Sequence, residues 1–236
     1  SIATRVTNFE YDVLGRLVKC VDPCGNIEKF EYDCFDNLIS KLDKEGITTK
    51  YSYTKSGKVS AIEYQDGRHA VFEYDKNDYL CRVDDWTGST IIENDLCGRA
   101  KSITHPNGDV VSYRYNSAGK KIYIQYPSGK EVDYEYDSML RLTELHSDSQ
   151  KISYFYDAFG RLEKKSESSG IHTLYSYNSQ GLLKSLQNKY QEELLDSVEY
   201  EYDVFGRKIK SKKYISDNDV CDGECSFEYD LHGRLK

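Results

Sequence analysis

The sequence predicts an all-β fold: tandem antiparallel β-hairpin repeats forming a long curved, spiralling sheet. Three observations lead there. A tyrosine recurs at intervals of about 21 residues along the 236-residue chain, the residue two places before it is nearly always aromatic, and a turn signature follows it. Self-similarity at a short fixed period marks an architecture whose units cannot bury a face alone and depend on their neighbours.

The anchors of the eleven units are Tyr11, Tyr32, Tyr53, Tyr74, Asn94, Tyr115, Tyr136, Tyr156, Tyr177, Tyr202 and Tyr229. Two residues earlier stand Phe9, Phe30, Tyr51, Phe72, Ile92, Tyr113, Tyr134, Tyr154, Tyr175, Tyr200 and Phe227, ten of them aromatic. Residues i and i+2 of a strand point to one face, so each triplet sets two rings on one side of a sheet and a polar residue on the other. Repeated from hairpin to hairpin, the rings are expected to form a cross-strand ladder, each aromatic pair contributing roughly 0.2–1 kcal/mol.

The residue after the anchor is Asp or Asn in ten units, with Thr54 the exception. Such a side chain accepts backbone N–H bonds from the turn that follows. Three residues later Gly15, Gly57, Gly98, Gly119, Gly160, Gly181, Gly206 or Gly233 supplies a positive φ. In the remaining units that place is expected to fall to Asn37, Asp78 and Leu140, and at Leu140 an altered turn is expected. The positions taken to define the repeat structurally are the pairs Tyr11 and Asp12, Tyr32 and Asp33, Tyr74 and Asp75, Tyr136 and Asp137, Tyr156 and Asp157, Tyr202 and Asp203, and Tyr229 and Asp230, with Gly15, Gly160, Gly206 and Gly233.

An apolar residue opens the second strand of most units, from Leu17 and Leu38 to Leu183 and Leu235, interrupted by Lys121 and Lys208. A second glycine, 14 residues after the anchor in seven units, returns the chain to the next aromatic strand, as at Gly25 and Gly108. Eleven units therefore imply about 21 strands. Neighbouring strands twist by roughly 20–25°, so a strip this long is expected to coil around its more apolar face. Residues 1–236 read as a single array, expected to be excised from a longer protein. Residues 187–196 and 216–224 lengthen two returning segments, either as loops that add contacts or as longer hairpin arms.

Composition suits this picture. Hydrophobic residues make up only 38% of the chain while tyrosine occurs 22 times, so much of the packing surface comes from rings that also carry a hydroxyl. A net charge of -8 without a basic stripe disfavours nucleic acid and anionic membrane surfaces as general partners. No apolar run approaches 18 residues, and no leader is evident, so a membrane span is not expected and an export signal is not in this segment. The seven cysteines are read as scattered reduced thiols, ahead of disulfides within Cys20/Cys24 and Cys221/Cys225 or a four-thiolate zinc site.

The string Tyr-Asp-x-x-Gly-Arg-Leu, intact at Tyr11–Leu17, Tyr156–Leu162 and Tyr229–Leu235, resembles the YD repeat of the Rhs and YD-repeat family, which includes polymorphic toxins, insecticidal toxin-complex shells and teneurins. The resemblance covers essentially the whole chain. It implies a partial YD-repeat shell or barrel, the wall of a hollow β-shell that encapsulates a C-terminal toxin or effector in a secreted polymorphic toxin. Neighbouring repeats and C-terminal cargo of the same protein are then the implied partners, and the localisation is secreted or cell-surface. Asp22-Pro23-Cys24-Gly25 superficially echoes the family's aspartate-dependent self-cleavage core but reads as an ordinary turn. The alternative function is a cell-surface adhesion or carbohydrate-binding module, since rings interleaved with carboxylates can stack on and bond to sugars. Enzymatic activity, a cofactor and a metal are not expected: the acids recur wherever the turn does, and His69, His105, His146, His172 and His232 lie at different phases of the repeat.

Overall fold

The computed structural model describes residues 6–215, 221–230 and 232–235, with the backbone alone at Cys221 and Asp222. The described strands form a 21-stranded antiparallel sheet that does not close on itself. No helix among the described residues is long and apolar enough to cross a membrane. Two compact units divide the chain, Ser1–Tyr113 and Arg114–Lys236.

In the first unit the strands are β1 (Asn8–Tyr11), β2 (Leu17–Val21), β3 (Ile27–Tyr32), β4 (Leu38–Leu42), β5 (Thr48–Tyr53), β6 (Val59–Tyr64), β7 (His69–Tyr74), β8 (Leu80–Asp85), β9 (Gly88–Asn94) and β10 (Ala100–Thr104), followed by β11 (Val110–Tyr115). Each pairs with its neighbours in sequence. In the second unit β12 (Lys121–Gln125), β13 (Glu131–Tyr136), β14 (Leu142–Ser147), β15 (Gln150–Tyr156), β16 (Leu162–Glu167), β17 (Ile171–Tyr177), β18 (Leu183–Tyr190), β19 (Glu193–Tyr202), β20 (Lys208–Ile215) and β21 (Cys221–Ser226) continue the pattern to a bridge between Tyr229 and Leu235.

Every repeat turn has the same backbone. Asp12 N–H donates to the Arg16 carbonyl at 2.9 Å and Gly15 N–H to the Asp12 carbonyl at 3.0 Å, with φ +82° at Gly15. This is the three-residue hairpin loop that ends on a left-handed residue. Two expectations change here. In the second unit of the repeat the left-handed residue is Asp36 (φ 67°), not Asn37; Asn37 instead takes the place that Arg16 holds one repeat earlier. At Leu140 the turn is not altered: φ is 61°, and Leu140 N–H still reaches the Asp137 carbonyl at 2.9 Å. Backbone and side-chain bonds from Asp137 hold the residue where its Cβ is disfavoured.

The insertion at 187–196 lengthens strands rather than a loop. Strands β18 and β19 run to 8 and 10 residues, and Gln191 N–H reaches across to the Gly170 carbonyl at 2.8 Å. Of the second insertion, residues 216–220 lie outside the described residues.

The described apolar residues that are buried are Ala70, Ile124 and Val132. A sheet with so little packed interior must be held by its ladders and by side-chain contacts along its faces. The aromatic residues occupy the more covered face, as the pattern of Phe30, Glu31 and Tyr32 shows, with only the glutamate exposed. They do not stack ring on ring across the hairpin. Tyr51 faces Ile62, Phe72 faces Val83, Tyr134 faces Leu145 and Tyr175 faces Leu186. The second strand of each hairpin intervenes between successive aromatic strands, which places them about 9–10 Å apart. At one place a cation fills that interval: Lys208 Nζ lies 5.2 Å from the Tyr200 ring centre and 5.0 Å from that of Phe227, in the next repeat.

Candidate functional site

The residues that the repeat brings together form a clasp between consecutive hairpins. It begins with a bulge. In nine described hairpins the register slips by one residue just after the anchor pair, so that Tyr11 faces Leu17 but Glu10 faces Lys19. A bulge disrupts the ladder locally and leaves backbone groups to be satisfied another way. The carbonyl before the extra residue accepts the phenol of the next repeat: Tyr32 donates to Leu17 at 3.0 Å, Tyr74 to Val59, Tyr136 to Lys121, Tyr156 to Leu142 and Tyr229 to Lys208, all four at 2.8 Å. Lysine at the two exceptional second-strand positions is harmless for this purpose, because the main chain is the acceptor.

The aspartate after each tyrosine holds the turn. Asp157 Oδ1 accepts the N–H groups of Phe159 and Arg161, both at 2.9 Å, while Oδ2 accepts Arg161 Nε at 2.7 Å and Nη2 at 2.6 Å. Asp12, Asp137, Asp203 and Asp230 repeat the arrangement with Arg16, Arg141, Arg207 and Arg234, and Asp33 and Asp75 cap their turns without an arginine. The hydroxyl of Thr54 does the same for Lys58 N–H at 3.1 Å. The backbone N–H of Arg16, followed by its guanidinium, holds the Asp12 carboxyl below the usual carboxylate range. At Asp22 the side-chain amide of Asn26 leads, and the value falls to about 2. Asp22 is thus an engaged turn cap, with Cys24 and Asn26 N–H on one oxygen.

Arginine completes the clasp, and its role was not foreseen from the sequence. Pinned by its own aspartate, each guanidinium lies over the tyrosine of the following repeat: Arg16 over Tyr32 at 4.9 Å, Arg141 over Tyr156 and Arg161 over Tyr177 at 4.5 Å, and Arg207 over Tyr229 at 4.9 Å. The motif's Gly-Arg-Leu ending carried the signal, since the arginine recurs five residues after the anchor. The glycine beside it also acquires a spatial reason in places. A Cβ at Gly98 would stand 2.4 Å from the Tyr79 ring, and one at Gly160 would stand 3.2 Å from Arg141 Nη1.

Groups with other chemistry are accounted for by local pairing. Glu135, Glu144 and His146 bring three ligand-type atoms within 4.8 Å, but Lys151 Nζ already sits 2.5 Å from Glu144 Oε1 and His146 Nε2 is 3.1 Å from Glu144 Oε2. This is a compensated cross-strand ion network. Ser166 Oγ meets His172 Nδ1 at 2.9 Å, a cross-strand pair between β16 and β17. Cys20, Cys24, Cys34, Cys81, Cys97 and Cys225 are free thiols, and the pairings that would use the Cys221 side chain lie outside the described residues.

The family model of the Teneurin YD-shell matches residues 2–236. No curated protein matches the chain by sequence. Among solved structures, a crystal structure of TcdB2-TccC3 is 18% identical with a TM-score of 0.74, covering 98% of this chain and 16% of its own. The Photorhabdus luminescens Tc holotoxin pore is 17% identical with a TM-score of 0.74, covering 98% and 15%. TcdB2-TccC3 without its hypervariable C-terminal region is 15% identical with a TM-score of 0.68, covering 98% and 16%. At these identities the likeness concerns the fold, and the chain spans about one sixth of the length of those it matches.

Proposed function

The chain belongs to the Teneurin YD-shell family, and from that premise we propose that it forms part of the wall of a hollow β-shell enclosing a C-terminal toxin or effector of the same protein. The observation that carries this reading is the inter-repeat clasp. Its bulged carbonyl, tyrosine, aspartate and arginine are spent on joining one hairpin to the next, which is what a wall requires. The likeness to a toxin-complex protein with a hypervariable C-terminal region supports a wall built around variable contents. Residues 1–236 act as one array whose defining positions are the tyrosine, aspartate and glycine of each turn, and the assembly works outside the cell or at its surface. It acts as a scaffold and not as an enzyme.

The glycan-binding alternative needs free ring faces. Those of Tyr32, Tyr156, Tyr177 and Tyr229 carry a guanidinium instead, which favours the wall. Limited proteolysis of the full-length protein tests the proposal: the segment after the array should survive until the array itself is cut. Digestion of that segment ahead of the array would overturn it.

A further inference from the structure

Five repeats have another residue in place of the clasp arginine, and at one of them, Asn37, a groove stands in its place. Of the eleven residues at the clasp position eight are cationic and Tyr79 and Leu182 are bulky, which leaves Asn37 the smallest of them. Its amide reaches back to Asp33 Oδ2 at 2.9 Å, the bond that Arg16 Nε makes to Asp12 Oδ2 at 2.7 Å, but no cation lies over the ring of Tyr53 among the described residues. The Tyr53 hydroxyl is committed to the Leu38 carbonyl at 2.7 Å, as in the other repeats, so what remains open is the face of the ring. There the surface opens into a groove of about 740 Å³ lined by Asp33, Phe35, Asn37, Tyr51 and Tyr53, with Phe35 81% exposed.

We propose that this groove binds a guanidinium group on an alkyl stem, either a free guanidino compound or an arginine side chain of a protein segment. The seat is the one that arginine fills elsewhere in the same molecule. Asp33 supplies the carboxylate, whose Oδ2 accepts only the Asn37 amide among the described residues, and Tyr53 supplies the ring face. Phe35 and Tyr51 flank the stem. A planar guanidinium both bonds a carboxylate and stacks on a ring, whereas an ammonium does only the first well. Lys55 on the groove's rim and the open setting keep the affinity low, about millimolar.

The test is a titration of the 236-residue protein followed by amide chemical shifts, using agmatine, a blocked arginine amide, and cadaverine as the ammonium control. Agmatine is expected to shift the amides of Phe35, Asn37 and Ser56 saturably, with cadaverine about fivefold weaker. If the blocked arginine binds as well as agmatine, the guest is a protein arginine; if agmatine alone binds, it is a free guanidino compound, and either outcome supports the site. Asn37→Arg should fill the seat from within, abolishing the shifts and raising the thermal midpoint. Should that variant fail to fold, Asp33→Asn carries the test, because Asn178 caps its own turn through Leu182 N–H at 2.9 Å. It should weaken agmatine severalfold. Absence of saturable shifts, shifts that persist in folded Asn37→Arg, or equal binding of cadaverine would overturn the proposal.

Discussion

The side-chain amide of Asn94 donates to the Leu80 carbonyl at 2.8 Å, the bond that the Tyr74 hydroxyl makes to Val59 one repeat earlier. The anchor position therefore selects a donor of the right reach as well as a ring. A phenylalanine there would preserve the ring and lose the bond. Tyr156→Phe is accordingly expected to lower stability by about 1 kcal/mol, the usual net worth of an intramolecular hydrogen bond. Urea unfolding with an unchanged slope would register it, and an unchanged midpoint would show the phenol dispensable.

Two glycines separate backbone strain from crowding. Gly15 has φ +82° with nothing within 4 Å of a would-be Cβ, whereas at Gly98 (φ +77°) the Cβ would meet the Tyr79 ring at 2.4 Å. Gly15→Ala should cost about 1–2 kcal/mol from the left-handed backbone alone. Gly98→Ala should cost a further 1–3 kcal/mol, roughly the penalty for overpacking. Equal midpoints in denaturant would refute the distinction. In the opposite sense, Leu140→Gly should stabilise the protein by about 1 kcal/mol.

Acid should loosen the turns before it does anything else. The caps Asp12, Asp22, Asp33, Asp95, Asp137 and Asp230 all have carboxyls held below the ordinary value by the hydrogen bonds they accept. A group whose folded pKa is depressed contributes stability that is complete above its unfolded value, near 4, and is lost as pH falls through the folded one. The urea midpoint is therefore expected to be flat above about pH 5 and to fall toward pH 2, the value at Asp22. Asp22→Asn should make that decline shallower, and a midpoint insensitive to pH over this interval would contradict the account.

The arginine clasp can be isolated by a double-mutant cycle. Arg161 is fixed to Asp157 and lies 4.5 Å from the centre of the Tyr177 ring. Arg161→Ala and Tyr177→Leu, alone and together, should reveal a coupling of about 0.5–1 kcal/mol. Arg161→Lys should retain part of it, since a lysine keeps the charge but not the planar fork. Strict additivity would mean that the stack contributes nothing.

Strand and turn positions were legible because period-two aromatic residues and positive-φ glycines report on the local backbone, which a short window of sequence contains. The clasp was less so. The motif showed an arginine five residues after the anchor, yet its partner, the tyrosine of the following repeat, lies 16 residues further at Arg16 and Tyr32. Only the sheet brings them together. The ring ladder failed for a related reason: strand periodicity puts rings on one face but says nothing of which strand stands between them. Leu140 shows the limit of residue preference, because the Asp137 bonds override it. The groove at Asn37 was hidden by the opposite error, in which a residue assigned to the turn proved to occupy the arginine's place.

Every described strand pairing joins neighbours in sequence, and each phenol and guanidinium of the clasp reaches only the adjoining repeat. Under tension applied at the two termini, the pairings among the described residues offer no distant fastening to break first. The chain should come apart from its ends one hairpin at a time, each rupture releasing roughly 70 Å of extended polypeptide for about 21 residues, a regular sawtooth in a force–extension trace.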